Sequence, residues 1–168
     1  MRVLGIDPGF DRTGFGIIEK TGATLAWVYH GCLQTNKGVD FPFRLRQVRD
    51  AVCKTLDHFK PEIVVIEQLF FQNNAKSAIK VGMARGVIVL AVADAGIPLI
   101  ELTPNQIKQS MTGWGGAEKK QVQEMVRRTL NLKEVPKPDD AADALAMAIV
   151  GASAAPALLR KHPSGRSA

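Results

Sequence analysis

Four acidic residues lie at the ends of predicted elements, where their side chains could meet. Asp7 and Glu67 directly follow short apolar runs, and Asp140 and Asp143 open a late helical segment at a spacing of three. Residues three apart share one face of a helix. An oxygen-only set suits Mg²⁺ or Mn²⁺ rather than Zn²⁺, and no His-rich or Cys-rich set competes with it. The pattern therefore predicts a divalent-metal site, provided that the four carboxylates converge.

Each acid also has an ordinary structural interpretation when it is taken alone. Asp7-Pro8-Gly9 is a common turn sequence. Asp139 and Asp140 can cap a helix and complement its dipole. Glu67 can be an exposed strand end, and a pair of Asp residues three apart is expected by chance. The metal-site hypothesis therefore depends on all four residues meeting at one place.

The basic residues favour a polyanionic partner. The 168 residues contain 22 Lys and Arg against 16 Asp and Glu, a formal net charge of +6. A membrane is the weaker candidate, because the strictly apolar runs fall far short of the ~20 residues needed to span one. Lys119 and Lys120 follow a glycine loop at 113–116, and such a loop before a helix can bind phosphate. Lys108 lies in the preceding short helix. The same lysines can also form a merely solvated face.

Three further features remain open at this stage. Phe70 follows Glu67 closely and is either a core residue or an exposed ring that stacks on a base. Gly82 and Gly86 permit close helix approach, either inside the chain or at a dimer seam. Trp114 gives the glycine loop a large aromatic side chain that the other motifs do not explain.

The elements that must position these residues alternate between strand and helix. Apolar periodicity and turn residues predict strands at 2–6, 13–19, 24–33, 63–66 and 97–102. Helices are predicted at 42–59, 75–95, 118–132 and 139–153, with a short one opening at Thr103-Pro104. Three antiparallel strands followed by parallel ones predict an α/β fold with one five-stranded mixed sheet flanked by helices. If the strands before Asp7 and Glu67 are parallel neighbours, both carboxylates project at one sheet edge.

The length favours one domain, predicted at 1–155, followed at 156–168 by a basic tail without fixed structure. Cys32 and Cys53 lie far apart in the sequence, and we expect them to be reduced, half-buried thiols of a cytoplasmic protein. The apolar run before Asp7 is too short for a signal-peptide core.

Six segments, in this order, resemble the motifs of the RuvC family of Holliday-junction resolvases. They are 4–9 (LGIDPG), 66–71 (IEQLFF), 80–86 (KVGMARG), 106–109 (QIKQ), 113–119 (GWGGAEK) and 140–146 (DAADALA). Any one of them is weak, but the ordered set is specific and covers roughly residues 1–153.

The resemblance implies a ribonuclease H-like fold and a homodimer that nicks four-way DNA junctions in recombination and repair. It implies two Mg²⁺ ions per subunit, replaceable by Mn²⁺, and the branch-migration proteins RuvA and RuvB as partners. The matched catalytic and metal-binding carboxylates are Asp7, Glu67, Asp140 and Asp143. Lys108 and Lys119 match the basic residues near the cleaved strand, and Phe70 matches the stacking aromatic. Asp139, beside the last pair, can assist or substitute.

Three alternative functions remain. A related ribonuclease H-like nuclease acting on RNA or an RNA–DNA hybrid would keep the acidic cluster without preferring junctions. A non-catalytic junction-binding dimer would bind DNA tightly without metal-dependent cleavage. An actin-like or sugar-kinase phosphotransferase also has a first strand that ends in Asp, but that fold needs two such domains.

Overall fold

The computed structural model describes residues 1–68 and 75–161, with the backbone alone described at 75–77 and 156–161. The described residues form five strands and five helices. The strands are β1 (Arg2–Asp7), β2 (Arg12–Thr21), β3 (Thr24–Gln34), β4 (Ile63–Glu67) and β5 (Leu99–Leu102). The helices are α1 (Phe41–Phe59), α2 (Ala75–Asp94), α3 (Pro104–Thr112), α4 (Lys119–Thr129) and α5 (Asp139–Lys161).

The strands form one mixed sheet in the order β3-β2-β1-β4-β5. The pairs β1–β2 and β2–β3 are antiparallel, whereas β4 is parallel to both β1 and β5. This confirms the predicted five-stranded sheet. Because Ile6 pairs with Ile66, the next residues, Asp7 and Glu67, emerge side by side at one edge of the sheet.

Alternate residues of the strands supply two cores, one on each face of the sheet. Val3 and Val65 pack with α3, α4 and α5. Leu4 and Val64 pack on the opposite face with α1 and α2. Burial on both faces explains why residues 3–6 of β1 and 63–66 of β4 are continuous apolar runs, each followed by an acid at the last position of the strand.

Helix α5 packs directly on the backbone of β1 and β2. A Cβ at Gly5 would overlap the carbonyl oxygen of Ala144, and one at Gly14 would overlap that of Asp140. Ala141 and Ala144 are fully buried on the facing side of the helix. This contact of glycine with alanine brings the first turn of α5 close to the end of β1.

Several predicted boundaries differ from the structure. Helix α5 continues to Lys161 rather than ending at 153, because the added residues are mostly Ala and Leu, which favour helix. The helix thus extends into the segment predicted as the tail, and 162–168 lie outside the described residues. Helix α4 ends at Thr129 rather than 132, since Asn131 takes a left-handed φ of 50°. Strand β5 begins at Leu99, after Pro98, which has no N–H for a strand ladder.

Cys32 and Cys53 are free and half-buried, as expected. No helix in the described ranges combines the length and the apolarity that crossing a bilayer requires.

Candidate active site

Three of the four predicted carboxylates line one cavity of about 180 Å³ at the sheet edge. Asp7 ends β1, Glu67 ends β4, and Asp143 comes from the first turn of α5. Lys108 of α3 and Lys119 of α4 also line it. The remaining wall is mostly apolar and consists of Pro104, Ile107, Val122, Ala146 and Met147. Two strands and three helices thus bring residues from most of the chain to one place.

The electrostatics of this cavity are those of crowded, poorly solvated acids. Burial raises the pKa of Asp7 to about 7, and the charges of Asp143, Glu67 and Asp140 add to the rise. Burial and the neighbouring Asp143 also raise the pKa of Glu67, against the lowering influence of Lys108 and Lys119. The pKa of Asp143 is raised chiefly by its own burial. The cluster therefore lacks sufficient positive charge to balance it.

Lys119 is the principal cation of the cluster. Its Nζ lies 2.8 Å from Oδ2 of Asp143 and 3.6 Å from Oδ2 of Asp139. Burial would lower the pKa of Lys119, but the hydrogen bonds and charges of these two acids outweigh it and raise that pKa. Asp139 thus reaches the site through Lys119 without lining the cavity itself.

Asp140 points away from the cavity. Its Oδ2 lies 2.7 Å from Nη2 of Arg12, and the Cys32 thiol is 3.9 Å from the same oxygen. Asp140 remains near enough for its charge to raise the pKa of Asp7. Sequence reasoning missed Arg12. The signal was available, since an antiparallel β1–β2 pair places the start of β2 beside the end of β1.

The turn after Asp7 is stabilised by contacts of Thr13 and Arg44, which sequence reasoning did not connect with the site. The Thr13 hydroxyl donates to the Gly9 carbonyl at 2.8 Å. The Arg44 guanidinium lies 4.1 Å from the centre of the Phe10 ring and donates to the Thr35 hydroxyl through Nε at 3.0 Å. Arg44 also pairs with Asp11. These contacts fix the chain directly after the first catalytic candidate.

The other predicted contact residues have different positions. Lys120 lies outside the cavity, in a neighbouring depression with Thr112, Glu124 and Arg128. Phe70 lies outside the described residues. Trp114 is largely exposed on the loop between α3 and α4.

The donor set of the cavity fits a hard divalent cation. All its candidate ligands are carboxylate oxygens, and their mutual repulsion is what such a cation would relieve. As placed, no group of three or more His, Cys, Asp or Glu side chains in residues 1–68 and 75–161 is arranged to hold a metal ion.

A family model, a curated relative and solved structures all relate the chain to the same family. The family model described as crossover junction endodeoxyribonuclease RuvC matches residues 3–151. The enzyme of that name from Brevibacillus brevis (strain 47) is 52% identical over 152 residues, covering 90% of this chain and 92% of its own. The solved structure of Thermus thermophilus RuvC has a TM-score of 0.85 and 37% identity, with coverage of 94% and 96%. The same protein in complex with a Holliday junction substrate has a TM-score of 0.85 and 34% identity, at the same coverage.

Proposed function

The chain belongs to the RuvC family of crossover junction endodeoxyribonucleases, and from this premise we infer that it resolves Holliday junctions in homologous recombination and DNA repair. The observation that carries this inference is the shared cavity of Asp7, Glu67 and Asp143, with Lys108 and Lys119 on its wall. It combines acids suited to a divalent metal with cations suited to a phosphate. The Thermus thermophilus relative, which has the same fold, was solved with a Holliday junction.

We propose two Mg²⁺ ions per subunit as the cofactor, with Mn²⁺ as a substitute. Asp7, Glu67 and Asp143 would hold them, and Asp140 would complete the set after leaving Arg12. Bound there, the ions would activate water and neutralise the charge that develops on the phosphate. The chain then needs no nucleophilic side chain of its own.

The lysines have separate tasks in this proposal. Lys119 exchanges its contact with Asp143 for the cleaved phosphate, where a fixed cation stabilises developing negative charge. Asp139, at 3.6 Å, keeps the Lys119 ammonium directed toward the site. Lys108, which also lines the cavity, contacts the same strand, and Lys120 binds a neighbouring part of the DNA backbone.

We further propose that the active form is a homodimer. A four-way junction has approximate two-fold symmetry and needs two nicks, and a two-fold dimer supplies two identical sites. Helix α2 carries an apolar stripe suited to this contact, consisting of Ile79 (63% exposed), Met83, Gly86 and Leu90 (61% exposed). These positions repeat at helical spacing along one face. By family membership, RuvA and RuvB are the proposed protein partners.

Replacing Leu90 with Glu is expected to disrupt the dimer, because it places a charge at the C-terminal end of the apolar stripe, where Leu90 is largely exposed. Light scattering during gel filtration should show the mass falling from dimer to monomer at micromolar concentration. Trp27→Glu is the matched control, since Trp27 is an exposed apolar residue of β3, at the opposite edge of the sheet from β5, and should leave the mass unchanged. An unaltered mass for Leu90→Glu would exclude α2 as the seam.

The function itself is tested with a synthetic four-way junction beside a linear duplex and an RNA–DNA hybrid of matched sequence. We expect paired nicks in opposing strands of the junction, with Mg²⁺ and not with chelator. Comparable cleavage of the hybrid would favour the related ribonuclease H-like nuclease. Tight junction binding without cleavage in either Mg²⁺ or Mn²⁺ would favour the non-catalytic dimer.

A further inference from the structure

Trp114 packs against its own loop although its side chain is 63% exposed. Its six-membered ring lies against the backbone of Gly116, where a Cβ would stand only 2.6 Å from Cζ2 and 2.8 Å from Cε2. A residue with a side chain at 116 would therefore displace the indole. The loop supports one part of the ring and leaves most of it open to solvent.

Hydrogen bonds fix the backbone that carries this ring. The Trp114 amide donates to the Thr112 hydroxyl at 3.2 Å, and that hydroxyl has two alternative acceptors, the Lys108 carbonyl at 2.8 Å and the Trp114 carbonyl at 3.0 Å. The Ala117 amide donates to the same carbonyl at 3.2 Å. Gln109 donates through Nε2 to the Gly113 carbonyl at 2.6 Å. The loop backbone on either side of Trp114 is thus hydrogen-bonded, and the indole that it carries faces solvent.

Basic side chains lie on both sides of the loop, on one side within the acidic cavity and on the other beside Glu124. The two helices that it joins supply Lys108 and Lys119 to the acidic cavity. On its other side, Thr112, which bonds the Trp114 backbone, lines a depression with Lys120 and Arg128. Cations that follow a phosphate backbone, combined with an exposed aromatic ring, are the features by which proteins bind DNA bases freed from regular stacking.

We propose that Trp114 is a DNA contact of this enzyme, stacking on a base at or beside the branch point, where regular base stacking is interrupted. The inference rests on the proposed junction binding and extends it to a residue outside the acidic cavity. Trp114 takes no part in the chemical step. It positions the strand whose phosphate meets Lys119.

The chain contains two Trp residues, so each indole can be observed alone. Trp27→Phe leaves Trp114, and Trp114→Phe leaves Trp27, which is exposed on β3. Both proteins are titrated with the four-way junction in chelator, so that no cleavage occurs. We expect the Trp114 emission to fall as the junction saturates the protein, because stacked bases quench indole, while the Trp27 emission changes little.

Binding is measured separately by the anisotropy of a labelled junction. Trp114→Ala should weaken the affinity about tenfold, since stacking on an aromatic ring contributes that order of magnitude. Trp114→Phe should retain most of the affinity, and Trp27→Ala all of it. If the unmodified chain does not bind the junction, the proposed function fails. If it binds while the Trp114 emission is unchanged at saturation, the assignment of Trp114 is overturned, whatever the affinities of the variants.

Discussion

Asp7→Asn is expected to lower the rate of junction cleavage by at least about 10³-fold while leaving junction affinity within a few-fold of the original. Asp7 is the most enclosed acid of the cluster, and three other carboxylates raise its pKa. The substitution removes a metal ligand but retains the size of the side chain and every cation of the binding surface. Single-turnover cleavage at saturating enzyme, beside anisotropy of the same labelled junction, separates the two effects.

Asp57→Asn provides the matched control, because Asp57 is an exposed acid on α1 at a distance from the cavity in the sequence and in the fold. It should cleave like the unmodified chain. A variant at Asp7 that cleaved within tenfold of the original would remove Asp7 from the catalytic set. Loss of binding together with loss of the folded state would instead assign Asp7 a structural role.

The positions of Asp7 and Glu67 could be predicted from the sequence because they depend on local pattern and on one topological step. Continuous apolar runs indicated strands buried on both faces, and parallel pairing of those strands brings their ends to one edge. The position of Asp143 could be predicted as well. The buried alanines of α5 determine which face of the helix packs on the sheet, and Asp143 faces the cavity as a result.

The direction of Asp140 could not be predicted in the same way. Helical spacing places Asp140 and Asp143 on one face, but it does not say which cation each will find. Arg12 of β2 pairs with Asp140, whereas Lys119 of α4 pairs with Asp143 and Asp139. The close packing of α5 on Gly5 and Gly14 could not be predicted either. A glycine in a strand indicates a close approach only when the element that packs on it is known. The directions of the Asp140 and Asp143 side chains depend on which long-range partner each one meets, and the spacing within α5 does not determine that.

Because the pKa of Asp7 is raised, the free energy of unfolding should depend on pH. Asp7→Asn should remove this part of the pH dependence. In the unfolded chain Asp7 titrates near 3.8, whereas in the folded chain its pKa is about 7. Between these values the unfolded chain releases a proton that the folded chain retains, so the metal-free protein loses stability as the pH rises through this window. The loss is complete above about pH 7. A difference of about three pKa units corresponds to about 4 kcal/mol.

Asp7→Asn should therefore be more stable than the unmodified chain in chelator, and the difference in free energy of unfolding should grow with pH. Relative to acid conditions in which Asp7 is neutral, we expect about 1.5 kcal/mol at pH 5 and about 4 kcal/mol at pH 8. Urea unfolding of both proteins across this range measures it, with Asp57→Asn as a control that should show no such trend. Excess Mg²⁺ should stabilise the unmodified chain at pH 8 far more than Asp7→Asn, because a cation relieves the repulsion that the variant already lacks. A constant difference between the two proteins from pH 5 to pH 8 would mean that Asp7 is solvated well enough to ionise normally, and that burial at the sheet edge does not prepare this carboxylate for a cation.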